Sequence, residues 1–426
     1  MQHHSYVRSL AVVAVAATAM ALTACAPPGA QQEGPKPEAT DTYTVGLLAS
    51  ETGFAAAFGT EMKRGWDLYW SQHDNVSGNF KIESIYEDDA SDPDTALNKA
   101  TRLVEDVKVD ALVGPILANN SLVVADYANK TKVADLSQTS ADDLTQRESS
   151  PYVLRTGAFA GSQITFAAGQ WAADEGYKTA ATICPDYAFG WDNCGGFSSA
   201  YLAAGGTITD RLWYPPGTAD LSTYMTQLAN ADVDVIFTGT TGGTDAIGFL
   251  KGASDFGILG KTPIVTAAGT TSAAPLEQVG DIAIGVHSVT YYAESDTSAV
   301  NEKFRADYQA AYGAIASVYA SGAYMTAQLL DKVLSAAGSD KPTGTDLIDA
   351  IKVAAPASTD LLWGKVSFDD YNGIVAPLYV NSVQKRDDGK LWNVVEKTYK
   401  DVSQYWTFDP AAWLANPTFS KSFTNQ

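Results

Sequence analysis

Histidine is nearly missing from this 426-residue chain: there are 4, and two of these, His3 and His4, stand at the very start. His73 and His287 remain, far apart in sequence, which leaves little material for a His-based metal centre or acid–base pair. Cationic side chains are also short in supply, with 28 Lys and Arg against 49 Asp and Glu, a net charge of −21. A nucleic-acid groove needs clustered Lys and Arg, so that partner is excluded, and the acidity reads as a solubility device. The apolar run Leu10 to Leu22 is too short to cross ~30 Å of hydrocarbon, which disfavours a transmembrane helix. Also absent are a GxSxG elbow, an HExxH helix, a Walker loop and a GxGxxG after a strand, so no enzyme class announces itself by motif. A carboxylate-based hydrolase would instead need paired acids in a cleft, and the overall reading is of a non-enzyme without cofactor or metal.

What is present begins with MQHHSYVRSLAVVAVAATAMALTACAPPGA, a weakly basic start, an apolar run and then Leu22-Thr23-Ala24-Cys25. That order predicts a lipoprotein signal peptide over 1–24, cut before Cys25, whose thiol then carries the lipid. An ordinary cleaved signal with a chance cysteine is the alternative. Residues 25–42 are Pro-, Gly- and Gln-rich without apolar periodicity, as in a flexible tether. The chain is thus expected outside the cytoplasm, on a membrane surface or in a periplasm.

Export gives the remaining two of the 3 cysteines a meaning. Cys184 and Cys194 bracket CPDYAFGWDNC, and with Cys25 lipidated they form an even pair, normally oxidised outside the cytosol. A metal site would need further ligands, and a CX9C spacing lacks a zinc-type partner pair. The expected disulfide stabilises by roughly 3 kcal/mol through loop-closure entropy.

From Tyr43 on, apolar strand-type runs alternate with helix-period segments. YTVGLLAS, KIESIYEDD, ALVGP and VADLSQTS read as strands of a first series, with helices over EMKRGWDLYWSQ, over 94–107 and over SLVVADYANKTK between them. A second series has strands KTAATIC, TITDRLWY, VDVIFTGT and TPIVTAA, with helices at 162–175, 195–204, 221–230 and 244–256. Repeated strand–loop–helix units imply two doubly wound α/β lobes with parallel sheets. About 380 residues suit two lobes better than one core. Polar or Gly-rich loops follow the strands in both series, and ligands of open α/β sheets collect at the carboxyl ends of strands.

The order and spacing of several short stretches resemble the type I periplasmic binding proteins of ABC importers, in the branched-chain amino acid subgroup. The carriers are Gly46-Leu47-Leu48 with Thr52 to Gly59, Val113-Gly114-Pro115, Tyr152 to Thr156, Asp186 to Gly190 and Phe368 to Gly373. The resemblance implies two lobes joined by three crossovers, near Arg155 to Phe159, His287 to Tyr291 and Phe368 to Gly373, closing on a ligand by hinge motion. It divides the chain into a first lobe, 43–157 plus 290–367, and a second, 158–289 plus 368–405, followed by an aromatic strap over 406–426. In the strap, Trp406, Phe408, Trp413 and Phe419 are expected to pack on a lobe surface, since exposed they would aggregate. A monomer that delivers a small molecule to an ABC permease is the implied function, with a sensory subunit as alternative.

Carried over position by position, the resemblance implies contacts from Phe58, then Ala118 with Asn119 and Asn120, then Gln138, Thr139 and Ser140. From the second lobe it implies Tyr187 and Phe189, Thr240 or Thr241, and Ala268. Two departures matter. Ala118 replaces a serine that helps hold an α-carboxylate, and Ala268 stands where an acid would meet an α-ammonium. Burying an ammonium group without a counter-charge costs several kcal/mol. The expected ligand therefore lacks an α-amine and is a small aromatic or other organic acid, or an amide, held between neutral polar groups and the walls Phe58, Tyr187, Phe189 and Trp191. A shifted loop register would put Glu277 or Glu294 in the acid's place and restore an amino acid as ligand. Phe58 as plain core and Gln138 to Ser140 as helix caps are the simpler structural roles.

Overall fold

Residues 39–147, 150–216, 218 and 220–424 are described in a computed structural model. The signal segment 1–24, Cys25 and most of the tether lie outside the described residues. Among those described, no helix is long and apolar enough to cross a membrane.

The first sheet is built from β1 (Asp41–Ala49), β2 (Val76–Ser77), β3 (Phe80–Asp88), β4 (Ala111–Val113), β5 (Ala134–Ser137) and β6 (Val153–Arg155), in the order 2-3-1-4-5-6. All its pairings are parallel except the short β2–β3. Helices α1 (Ala56–Gln72), α2 (Pro93–Thr101), α3 (Ala118–Thr131) and α4 (Asp143–Gln146) link these strands. The near-continuous apolar run in β1 is what a strand covered on both faces requires, and Tyr43, Val45, Leu47 and Leu48 are all fully buried. Helix α1 turns Met62, Trp66 and Tyr69 inward together. Burying an indole such as Trp66 removes roughly 200 Å² from water, about 5 kcal/mol of transfer free energy. Helix α2 starts where the Asp92 carboxylate accepts the Thr95 N–H at 2.8 Å and Pro93 fills the first turn.

The chain then passes to a second sheet through residues 156–160. Helices α5 (Gly161–Asp174), α6 (Ala188–Ala203), α7 (Ser222–Asn230), α8 (Gly243–Asp255) and α9 (Ala273–Val279) alternate with β7 (Thr179–Pro185), β8 (Thr207–Tyr214), β9 (Val235–Thr238), β10 (Ile264–Ala267) and β11 (His287–Thr290). After β11 the chain returns to the first sheet as α10 (Ala299–Tyr312), α11 (Val318–Ala336) and α12 (Gly344–Ala357), packed on α1 and β5. It crosses a third time into β12 (Ser367–Phe368), β13 (Ile374–Lys385) and β14 (Leu391–Val402), which extend the second sheet antiparallel to β11. Its path is 12-13-11-10-9-7-8, with β14 on β13. The protein is thus two α/β lobes with mostly parallel sheets.

Two crossings fall beside the expected places. His287 to Thr290 is itself strand, paired with both β10 and β13, so the second crossing begins after it. Ser367 and Phe368 already pair with β13, so the third is complete before Phe368.

The larger correction concerns three of the strand-exit loops, into which helices reach. Helix α1 begins at Ala56, inside ETGFAAAFG; α3 begins at Ala118, ahead of SLVVADYANKTK; and α6 begins at Ala188, seven residues before Gly195. Short helix starts without a Ser, Thr or Asp cap carry no sequence signal, and none of the three has a side-chain cap. The Cys184–Cys194 disulfide, with Cα atoms 6.3 Å apart, therefore ties the end of β7 to the second turn of α6. It does not brace a ten-residue loop. Gly190 lets α6 pass this close, since a Cβ there would stand 1.9 Å from the Pro185 carbonyl oxygen.

After β14 the tail, including α13 (Pro410–Leu414), lies on α5 and α6: Trp413 and Phe419 are buried with Phe166, and Trp406 and Phe408 pack beside them. The tail also reaches the first lobe, where Arg147 donates to the Asn416 carbonyl at 2.7 Å and Gln146 to the Gln404 carbonyl at 2.7 Å.

Candidate functional site

The carboxyl ends of the two sheets face one another across a cavity of about 50 Å³. A single water needs roughly 10–15 Å³ measured the same way, so the space suits one small flat molecule or several waters. The lobes are in contact around it: a Cβ on Gly242 of the second lobe would meet the Phe58 ring of the first at 3.1 Å. Gly242 also has φ +105°, which favours glycine.

Three walls are aromatic. Phe58, in the first turn of α1, stacks on Tyr319 at 4.6 Å between ring centroids. Tyr291, in the second crossing, lies on Phe159 at 5.2 Å and against Trp363 at 5.0 Å. Tyr187 and Phe189, at the start of α6, stack at 5.9 Å on the second-lobe side. The tyrosine hydroxyls are neutral, because burial pushes Tyr187, Tyr291 and Tyr319 above the ordinary phenol range.

The fourth wall is the first-lobe stretch of Leu117, Ala118 and Gln138 to Ala141. Helix α3 has no side-chain cap, so its first N–H groups and the positive end of its dipole are presented at Ala118. Gln138 lines the cavity but spends its amide elsewhere, donating to Thr326 Oγ1 at 2.7 Å. The segment 139–141 is held from behind by Arg155, fully buried, which donates to the Thr139 carbonyl, to the Ala141 carbonyl at 2.5 Å and to Thr145 Oγ1 at 2.9 Å. Burial lowers the Arg155 guanidinium to about 10, while Asp142, Asp192 and Asp369 act to raise it, so it stays charged. Asp142 and Asp192 meet across the lobes, the Asp142 N–H donating to the Asp192 carboxylate at 3.3 Å.

Of the residues implied by the sequence, Phe58, Ala118, Gln138, Thr139, Ser140, Tyr187, Phe189 and Thr241 line this cavity. Asn119 is exposed on the outer face of α3, and Asn120 is buried away from the cavity. Helical geometry explains both, since successive residues point 100° apart. Thr240 is buried and bonded to Thr270 Oγ1 at 2.7 Å, and Ala268 is packed in the core. Trp191 faces the tail, donating to Asp186 at 3.0 Å. Glu277 lines a separate depression near Asp281. Glu294 is buried against Asn393, whose N–H it accepts at 2.8 Å; burial raises its carboxyl to about 7. Neither glutamate reaches the cavity lining.

Tyr291 and Tyr319 were missed. Tyr291 directly follows β11, so the strand-exit rule could have found it. Tyr319 follows no strand; it stands at the second position of α11 and arrives only through packing of α11 on α1. Among the described residues, no group of three or more His, Cys, Asp or Glu could hold a metal ion.

A family model described as "Periplasmic binding protein" matches residues 42–390. A Leu/Ile/Val-binding protein homologue of Brucella melitensis is 28% identical over 369 residues, spanning 84% of this chain and 92% of that one. Among solved structures, a solute-binding protein of an ABC transporter from Rhodopseudomonas palustris BisB5, in complex with 3,4-dihydroxybenzoic acid, superposes with a TM-score of 0.79 at 28% identity, over 85% of this chain and 98% of that one. Another R. palustris solute-binding protein, in complex with 4-hydroxybenzoate, gives 0.78 at 28% identity, over 86% and 99%.

Proposed function

The chain belongs to the type I periplasmic binding proteins of the branched-chain amino acid binding family, solute-binding proteins of ABC transporters, and from that premise we propose that its ligand is a small aromatic carboxylic acid. The observation that carries this reading is the composition of the cavity: tyrosine and phenylalanine rings, an uncapped helix N-terminus, and no Asp, Glu, Lys or Arg among the lining residues. A ligand carboxylate finds backbone N–H donors and the α3 dipole at Ala118. Its ring finds Phe58, Tyr187, Phe189, Tyr291 and Tyr319, within stacking reach. An α-ammonium finds no counter-charge, and burying it bare costs several kcal/mol.

The mechanism is closure without covalent chemistry. A ligand touching both lobes favours the closed arrangement by its differential contacts with it. We assign the protein to import, as a monomer tethered through a lipidated Cys25 that hands its ligand to the membrane permease of an ABC transporter. The R. palustris proteins bound to hydroxybenzoates support this choice of ligand; the Leu/Ile/Val names of its relatives favour the second reading, a branched-chain amino acid.

Isothermal titration of purified protein with benzoate, cinnamate, leucine and isoleucine separates the two. The acids are expected to bind and to raise the melting temperature as RT ln(1 + [L]/Kd), with leucine inert. Saturable binding of leucine alone would overturn the aromatic-acid reading.

A further inference from the structure

The hydrogen bonds that hold the wall at residues 139–141 do not end in the first lobe. Arg155 donates to the Thr139 carbonyl, to the Ala141 carbonyl at 2.5 Å and to Thr145 Oγ1 at 2.9 Å. A guanidinium has no acceptor, so Thr145 Oγ1 accepts from it and keeps its own proton to give elsewhere. That proton goes to Gln404 Oε1, 2.7 Å away. The amide nitrogen of Gln404 donates in turn to the Asp369 carboxylate at 2.8 Å. The series Arg155, Thr145, Gln404, Asp369 thus has one direction, fixed by a group that only donates at one end and a carboxylate at the other.

Its members come from both lobes. Thr145 is in α4 and Arg155 in β6, whereas Gln404 stands two residues after β14, at the start of the tail that lies on α5 and α6. Gln404 is fully buried. Asp369 opens the turn between β12 and β13, where its other oxygen accepts the Tyr371 and Gly373 N–H groups at 3.0 and 2.8 Å. Between the two carbonyls that Arg155 grips lies Ser140, which lines the cavity. Its carbonyl accepts the Gly161 N–H at 2.9 Å, and among the described residues neither its N–H nor its hydroxyl has a partner. The grip on either side therefore sets where two unspent donors stand.

We propose that Gln404 is a positioning residue for ligand binding: from the second-lobe tail it holds Thr145 and, through Arg155, the 139–141 wall in the place from which Ser140 meets the ligand. The inference rests on the cavity being the ligand site, as read above, and makes the C-terminal tail part of the binding machinery. Gln404 itself does not touch the ligand. Without it the Thr145 proton is left in a buried place with no acceptor, and Thr145 turns to find one at the expense of the grip.

Titration calorimetry of the full chain with benzoate, well below each variant's unfolding midpoint, is the test. Gln404→Leu keeps most of the buried volume and removes both side-chain hydrogen bonds, so benzoate affinity should fall about tenfold. Thr145→Val should lose as much, and the double variant no more than either alone, because both open the same relay. Thr145→Ser keeps the hydroxyl and should bind as the wild type does, although it gives up a buried methyl. Phe408→Ala, which packs on Phe166 and Trp413 outside the relay, should lower the unfolding midpoint and leave affinity unchanged. Should Gln404→Leu not fold, Thr145→Val against Thr145→Ser carries the comparison. Unchanged affinity in Gln404→Leu or Thr145→Val, losses that add in the double variant, or an equal loss in Phe408→Ala overturns the inference. A wild type that binds leucine and not benzoate overturns the aromatic-acid reading instead, and the same variants titrated with leucine then decide the role of Gln404.

Discussion

The two halves of the cleft are built by different means. The first lobe presents the rings of Phe58 and Tyr319 together with the uncapped start of α3 and the segment 139–141, which Arg155 grips from within the lobe. The second presents side chains: Tyr187 and Phe189 are set by a disulfide at the root of α6, and Thr241 is set by Asp245. Backbone donors suit an anion and change little with sequence, whereas side-chain rings and hydroxyls carry chemical identity. Under the proposed aromatic-acid reading, the ligand carboxylate lies toward the start of α3.

Removing the grip of the first lobe is the severest way to break this arrangement. Arg155→Met takes the cation from among Asp142, Asp192 and Asp369 and frees the carbonyls of residues 139 and 141. Losing one partner of a buried charged cluster costs about 3–5 kcal/mol. Urea unfolding should show that loss, and benzoate affinity should fall with it as the backbone wall relaxes. The matching change in the second lobe is gentler. Cys184→Ser with Cys194→Ser opens a short covalent loop, about 3 kcal/mol by chain entropy. Benzoate affinity should fall as well, because the staple sits beside Tyr187. An unchanged affinity would place the disulfide outside the recognition wall.

The contact between the lobes offers a third, smaller test. Gly242→Ala adds a methyl 3.1 Å from the Phe58 ring at a backbone φ of +105°. Strain at that φ should lower the unfolding midpoint of the free protein, by about 1–2 kcal/mol of stability, and the methyl against Phe58 should weaken ligand affinity as well.

These contrasts mark what the sequence could reveal. The strand–helix alternation and its two series are written in runs such as YTVGLLAS and VDVIFTGT, whose burial leaves no other reading. The Cys184–Cys194 pairing was legible in cysteine parity. Phe58, Tyr187 and Phe189 follow from position after a strand, since every βα unit points its strand end at the cleft. Asn119 and Asn120 fell away for a different reason: the helix begins at Ala118, three residues earlier than the pattern suggests, and rotates them off the site; Ala268, after β10, is packed in the core. Tyr319 and Asp245 were beyond local pattern. The one reaches the cavity through α11 on α1; the other is tied to the backbone of a residue four positions back and to a tyrosine in β8.

A comparison of two buried carboxyls gives the finest test, because burial is shared and partners are not. Asp245 accepts from the Thr241 N–H and the Tyr214 hydroxyl; Asp135, in the middle of β5, is fully buried and neither of its oxygens has a hydrogen-bond partner. Burial alone raises the Asp135 carboxyl well above the ordinary range, so the folded protein keeps a proton there that the unfolded chain has released. Where the folded state binds more protons, stability falls as pH rises, from the unfolded carboxyl value of 3.8 upward through the raised folded value. Asp135→Asn stays neutral throughout and removes that contribution, so its stability should gain on the wild type as pH increases. Burial raises the Asp245 carboxyl too, but the Thr241 N–H and the Tyr214 hydroxyl act against it, so Asp245→Asn should gain in the same direction and by less. Chemical denaturation at pH 5 and pH 8 reads both. Parallel pH curves for wild type and Asp135→Asn would mean that Asp135 has found a partner, and the contrast between the two buried acids would fail.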